Sequence, residues 1–292
     1  MIKIIYKLFY ILFWLFALLP LRILYLKSDF LYFLIYYIIR YRKKVVYKNL
    51  KNSFPEKSEK EIIIIAKKFY RHLCDLFIES VKIIHLSKEQ LDKRVNYTNV
   101  EILKDLFERK KDIVLVSGHY GNWEWMVNLQ LQLLHRLLII YRPLNNKFAN
   151  ELVFNIRIKF GITMVPMKEI FREAIRYKQK KELITVYFLA DQRPPRRNKF
   201  WTTFLNQDTP FFTGFEIMAK KFNMAVIYLN LQKVGRGYYD VKFEKLYEDT
   251  KDVPNLEITK KVVKTIEDSI IKNPEYWLWS HNRWKHKREN IE

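Results

Sequence analysis

The sequence predicts an α/β protein: a single domain with a largely parallel or mixed central sheet flanked by helices, preceded by an N-terminal membrane helix. Three observations lead there. From Ile113 onward, short β-branched runs alternate with helical stretches of ten or more residues, the rhythm of buried parallel strands covered by helices. The 292 residues are 49% hydrophobic and 16% aromatic, which excludes a disordered chain. The longest apolar runs fall in the first 44 residues.

Taken in order, the chain opens with Leu8 to Leu21, an uncharged run that as a helix measures about 21 Å, short of the roughly 30 Å hydrocarbon core. Extended from Ile4 to Leu26 it admits Lys7 and Arg22, whose stems snorkel, and reaches about 35 Å, enough for a single span. Phe30 to Ile39 is shorter and ends in Arg40, Arg42, Lys43 and Lys44, the pattern of an interfacial helix beside anionic lipid. No small-residue cleavage site follows the first run, because Ala17 precedes Leu18, Leu19 and Pro20. Residues 1–44 are therefore read as a membrane-anchoring or interfacial segment and 45–292 as the folded domain. Within the latter, Ser58 to Ile84 has helical periodicity. Strands are expected at Ile113 to Val116, Leu137 to Tyr141, Leu183 to Leu189 and Ala225 to Leu229, and helices at Trp123 to Leu134, Lys147 to Phe160, Lys168 to Lys178 and Thr213 to Phe222. Tyr238 to Leu246 alternates like an edge strand.

The net charge of +22 and pI near 9.8 call for an anionic partner: a membrane surface, a phosphorylated substrate, an acidic protein or nucleic acid. Residues 1–60 carry 12 Lys or Arg against 3 Asp or Glu, which favours the membrane, because charge and apolar runs coincide. The single Cys74 excludes an internal disulfide and reads as a small core residue. No Cys/His cluster suggests a metal, and no cofactor motif is present; neither is expected.

The segment Asp112 to Met126 reads D-I-V-L-V-S-G-H-Y-G-N-W-E-W-M. A buried strand ends near Val116 and delivers His119 on a turn. Five positions on one helix would set Glu124 about 140° away from it. With His119 on the strand-end loop and Glu124 in the first helical turn, the carboxylate can accept a hydrogen bond from one ring nitrogen and leave the other as a base. Active sites of open α/β sheets lie outside the carboxyl ends of the strands. Arg142 after Leu137 to Tyr141, and Asp191 after Leu183 to Ala190, occupy corresponding places. As surface residues the same side chains would be a helix-dipole carboxylate, an ion pair and a turn aspartate; their convergence at three strand ends favours function.

The string Ser117-Gly118-His119-Tyr120-Gly121-Asn122-Trp123-Glu124 resembles the histidine, four residues, acidic residue motif of the bacterial lipid A late acyltransferases. The resemblance continues through Tyr141-Arg142-Pro143-Leu144-Asn145-Asn146, Ala190-Asp191-Gln192, Thr209-Pro210-Phe211-Phe212-Thr213-Gly214 and the stretch from Tyr276 to Lys285, with Asn49-Leu50 and Phe54-Pro55-Glu56 upstream. It implies an O-acyltransferase domain over 45–292 that takes an acyl thioester, from acyl carrier protein or coenzyme A, and an anionic glycolipid acceptor, the Kdo-bearing lipid A precursor. It places the enzyme at the inner membrane, its catalytic domain facing the cytoplasm. His119 and Glu124 are then the catalytic pair, the one as base and the other orienting it. Arg142 and Asp191 are substrate-binding candidates: Arg142 for a phosphate or the oxyanion, Asp191 for orienting Arg142 or a neighbouring base. Trp277, Trp279 and Trp284 with Arg283, Lys285, Lys287 and Arg288 suit a membrane interface or phosphorylated headgroup, and His281 reads as structural. Two alternatives stand beside this: acyl transfer to a lysophospholipid or amino-acid lipid, and a non-catalytic basic protein bound to membrane or nucleic acid. Without a nucleic-acid motif, no nucleic-acid partner is expected.

Overall fold

The computed structural model describes residues 11–143, 146–195 and 200–288. The first ten residues, Leu144 and Asn145, and the far C-terminus lie outside them, so the start of the expected span and part of the Arg142 motif are not described. Helix α1 covers Ile11–Leu18, and α2 (Leu21–Phe33) runs on through a π-helical turn, Leu34–Ile39. The two meet at 117°, which corrects the expected straight helix from Ile4 to Leu26. Pro20 causes the break: it lacks an N–H and disfavours helical backbone at Leu19. The Lys82 ammonium donates to the freed carbonyls of Ala17 and Leu19, at 2.8 and 2.9 Å. Among the described residues no single helix is long and apolar enough to cross a membrane, although the bent pair together has the length and composition.

Arg40 and Arg42, both left-handed at φ 54° and 48°, turn the chain into α3 (Lys43–Ser53). Then comes α4 (Glu59–Lys82), started by a capping box in which Ser58 and Glu61 satisfy each other's backbone N–H. Short α5 (Lys88–Asp92) leads to β1 (Val95–Thr98), α6 (Glu101–Glu108) and β2 (Ile113–Ser117). A 3₁₀ segment, Trp123–Gln132, replaces the α-helix expected there. It is followed by β3 (Arg136–Tyr141), α7 (Lys147–Ile158), β4 (Thr163–Pro166), α8 (Ile170–Gln179) and β5 (Ile184–Leu189). A small hairpin of β6 (Trp201–Phe204) and β7 (Gln207–Pro210) precedes α9 (Gly214–Phe222), β8 (Ala225–Gly235), β9 (Tyr238–Tyr247) and α10 (Glu257–Lys272).

Seven strands form one sheet in the order β1-β9-β8-β2-β5-β3-β4. Every pairing is parallel except β8 with β9. The expected edge strand, β9, lies inside the sheet, because β1 pairs along its outer side; its alternating pattern reflects one buried face rather than an edge. Period-two geometry sorts the central side chains. Val114, Val116, Val186, Val226 and Tyr228 join a core with α3, α4, α8, α9 and α10. Ile113, Leu115, Tyr187, Ala225 and Ile227 join the opposite core with α5, α6 and the 3₁₀ segment. Helices on both faces explain why these strands are apolar throughout.

Helix α2 is bound to this body by polar contacts. Ser28 donates to Asp75 at 2.8 Å, and Arg236 from β8–β9 bridges Asp29 and Asp75, each at 2.7 Å. Its other side presents Leu26, Phe30, Phe33, Ile38 and Ile39, each more than half exposed.

Candidate active site

Strands β2 and β5 are neighbours with Ser117 in register with Leu189. Two residues past each of these positions stand His119 and Asp191, so the sheet itself brings them side by side. Asp191 is buried and fully engaged. Its Oδ1 accepts from His119 Nδ1 at 2.6 Å, and its Oδ2 accepts from the His119 backbone N–H at 2.8 Å and the Trp277 indole N–H at 2.6 Å. A side chain at Gly118 would press on that carboxylate, at 3.3 Å from Oδ2, so the glycine permits the close approach. Burial pushes the Asp191 carboxyl up, but the His119 charge and the three donors outweigh it and hold the group at about 2. An ionised carboxylate only accepts, so Nδ1 carries the proton of this hydrogen bond, and Nε2 is the nitrogen that bears the lone pair whenever the ring is neutral. Gln192 lies within 2.9 Å of that nitrogen and is its amide donor.

Here the structure corrects two expectations. Glu124 does not receive the His119 ring proton; its carboxylate is taken by Arg157 of α7 at 2.8 Å and by the Trp123 indole N–H at 3.2 Å. The second concerns Asp191 as a substrate ligand: its carboxylate is buried against the imidazole and faces no cleft, a placement that fits the other role the resemblance left open to it, orienting a neighbouring base. The physical reason is register: a neighbouring strand end reaches His119 with no reversal of the chain, whereas Glu124 begins a separate turn. Trp123 stands between them in space, its ring edge-on to the imidazole at 5.2 Å between centroids.

The loop from His119 to Gly121 is clamped by the C-terminal segment. Leu278 donates its N–H to the His119 carbonyl at 3.2 Å, and Gly121 donates to Tyr276 at 3.0 Å. Gly121 has φ +62°, and a Cβ there would lie 2.9 Å from Leu231, so both backbone and space demand glycine. Trp277, Trp279 and Arg283 are buried, which overturns their reading as interface residues. They are the inner lining of a strap: Arg283 stacks over Phe211 at 4.6 Å, and burial, opposed by Asp191, pushes its guanidinium down to about 9. Asn49 of α3 donates to the carbonyls of Trp279 and His281, both at 3.0 Å. His281 accepts the Arg193 N–H at 3.3 Å and is pushed down to about 4 by burial, consistent with a structural part.

Arg142 follows β3, one strand beyond β5, and is exposed. With Tyr141, Asn150, Val153, Phe154, Arg157 and Met164 it lines a cleft of about 140 Å³. Arg142 and Arg157 thus share one cleft, and Glu124 holds the second of them. Sequence reasoning missed Gln192, Arg157 and Trp277 as partners. Gln192 and Trp277 lay within quoted motifs, whereas Arg157 carried no signal beyond its place on an amphipathic helix. Among the described residues no group of three His, Cys, Asp or Glu could hold a metal ion.

A nitrogen base fixed by a buried carboxylate, linked through Trp123 and Glu124 to an arginine-lined cleft, suits proton abstraction from a hydroxyl near an anionic group. Comparison with known proteins gives the family. The chain is 23% identical over 282 residues to the lipid A biosynthesis lauroyltransferase of Escherichia coli strain K12, covering 95% of this chain and 90% of that protein. It is 21% identical over 249 residues to the palmitoleoyltransferase of the same organism and to a lipid A biosynthesis acyltransferase of Shigella flexneri, in each case covering 85% of this chain and 80% of the relative. A family model described as bacterial lipid A biosynthesis acyltransferase matches residues 2–286, and the chain belongs to that family.

Proposed function

We propose that this acyltransferase moves a fatty acyl chain from a thioester, on acyl carrier protein or coenzyme A, to a hydroxyl of an anionic lipid A precursor, with His119 as the base. The observation that carries this is the His119–Asp191 pair: Nδ1 is fixed at 2.6 Å on an ionised carboxylate, which leaves Nε2 to accept a proton. As the acceptor hydroxyl displaces the Gln192 amide, Nε2 takes its proton and the oxygen bonds to the thioester carbonyl carbon. Asp191 balances the imidazolium. The carbon–sulfur bond then breaks, and the imidazolium returns its proton to the departing thiolate.

Glu124 serves here through Arg157. It holds the guanidinium against the cleft that Arg142 borders, where the two cations bind an acceptor phosphate or the developing oxyanion. At about 140 Å³ the cleft is smaller than the roughly 300 to 1,000 Å³ of pockets that enclose whole ligands, which suits a headgroup rather than an acyl chain. Residues 1–44 attach the domain 45–292 to the inner membrane through the bare side of α2 and the basic turn at Arg40 to Lys44, and the catalytic domain faces the cytoplasm.

Purified full-length protein offered acyl carrier protein thioester together with the lipid A precursor, a lysophospholipid or an amino-acid lipid tests this. Transfer to the first acceptor, lost in His119→Ala, is expected. Transfer confined to either of the other acceptors overturns the assignment.

A further inference from the structure

We propose that Glu79 is a positioning residue for acyl transfer: from beneath the site it fixes Asn122, and through Asn122 the turn presenting Trp123 and Glu124, to the seat of helix α2 on α4. This rests on the reading of His119 and Glu124 as the reacting site.

Glu79 lies on α4 and is fully buried. Among the described residues no Lys or Arg lies within ion-pair distance of it. Neutral donors surround it: Tyr25 of α2 gives its hydroxyl to Oε1 at 2.8 Å, while Oε2 accepts the Asn122 amide at 2.6 Å and the Tyr239 hydroxyl of β9 at 2.7 Å. The same residue's backbone carbonyl takes the Trp125 indole N–H at 3.0 Å. Asn122, also buried, uses its remaining oxygen to cap the Trp125 backbone N–H at 3.1 Å. Residues on both sides of Trp123 and Glu124 are therefore tied to one side chain and its own backbone. Trp123 then touches the imidazole and donates to Glu124.

A carboxylate is an expensive way to fill this place. Burial pushes its pKa up, only partly offset by the Lys233 charge and the tyrosine hydroxyls, and an amide would cost less. What the carboxylate supplies is acceptor capacity: three donors from α2, β9 and the catalytic turn converge on it, and all three geometries are satisfied together. The same side chain thereby joins α2 to the turn that carries Trp123 and Glu124.

The test is a donor–acceptor exchange in the full-length protein. Asn122→Asp keeps the cap but sets two carboxylates face to face. It should lower kcat/KM by about tenfold or more, because the displaced turn carries both Trp123, which packs on the imidazole, and Glu124, which holds Arg157 at the cleft. The ¹⁵N indole signal of Trp123, assigned with Trp123→Phe, should move. Adding Glu79→Gln reverses the pair, the new amide donating to the new carboxylate while its oxygen keeps the Tyr25 hydroxyl, and should move kcat/KM and the indole signal back toward wild type, short of full recovery because the Tyr239 hydroxyl loses its acceptor. If Asn122→Asp leaves kcat/KM and the Trp123 signal unmoved, or if the double variant is unfolded or no closer to wild type than Asn122→Asp, the proposal is overturned. Should the wild type transfer nothing to a lipid A precursor, the proposed function fails, while the Trp123 signals of the same variants still decide the positioning.

Discussion

Replacing Asp191 by Asn isolates the work of its charge, since the amide keeps the shape of the carboxylate. The carboxyl is held at about 2 instead of 3.8, a difference worth roughly 2 kcal/mol. Burial opposes that shift, so the attraction to the protonated imidazole exceeds the net figure. Losing it should slow acyl transfer by at least about 30-fold. An amide can also donate to Nδ1, which forces the proton onto Nε2 and removes the base; the same replacement in a Ser-His-Asp triad costs about 10⁴. The expected loss lies between these bounds, with KM little changed. Single-turnover transfer from bound thioester, with thermal unfolding as the control for fold, measures it. The same pair predicts an acid limb. A carboxyl lowered in the folded state gives stability that is present above its unfolded value, near 4, and is lost as pH falls toward 2. The wild type should lose about 2 kcal/mol across that window and the Asn variant should not. A variant that transfers within about threefold of wild type, or unfolds in acid as wild type does, would refute an ionised Asp191 as the partner of His119.

Gly121→Ala should cost about 1–3 kcal/mol in denaturant unfolding, from a left-handed backbone and a contact with Leu231 under 3 Å; an unchanged midpoint would contradict the clamp. Arg142→Lys should lower kcat/KM by about tenfold or more, because a point charge does not replace a planar fork facing an anion; wild-type values would remove Arg142 from the cleft's function. Phe30→Ser with Ile38→Ser should weaken binding to vesicles containing anionic lipid at high salt more than at low salt, since salt screens the basic turn but not apolar burial. Equal losses at both salts would mean that these side chains do not enter the bilayer.

The sheet was legible because β2, β5 and β8 are apolar on both faces, and their β-branched runs stand out from helical spacing. The strand ends were legible as the site for the same reason. What the sequence hid was the pairing at those ends. Glu124 is five residues from His119 and Asp191 is 72, yet parallel register closes the longer gap at no local cost. Proximity along the chain favoured the wrong carboxylate as the imidazole's partner. Composition also misled at the C-terminus, where Trp277, Trp279 and Arg283 look like headgroup ligands. Aromatic and basic residues have the same composition whether they face lipid or line a strap, and only tertiary packing separates the two. Pro20 was visible inside the apolar run as well, but length and hydropathy were weighed there instead of its backbone chemistry, and the bend was not expected.

The strap has a consequence in time. The loop bearing His119 gets its backbone partners from Tyr276 and Leu278, and Tyr120 finds the Asn273 carbonyl 153 residues further along. Synthesis runs from the N-terminus, so α2 emerges long before the strap. Until residues 273–278 are made, the His119 loop therefore lacks these backbone partners and Asp191 lacks its Trp277 donor.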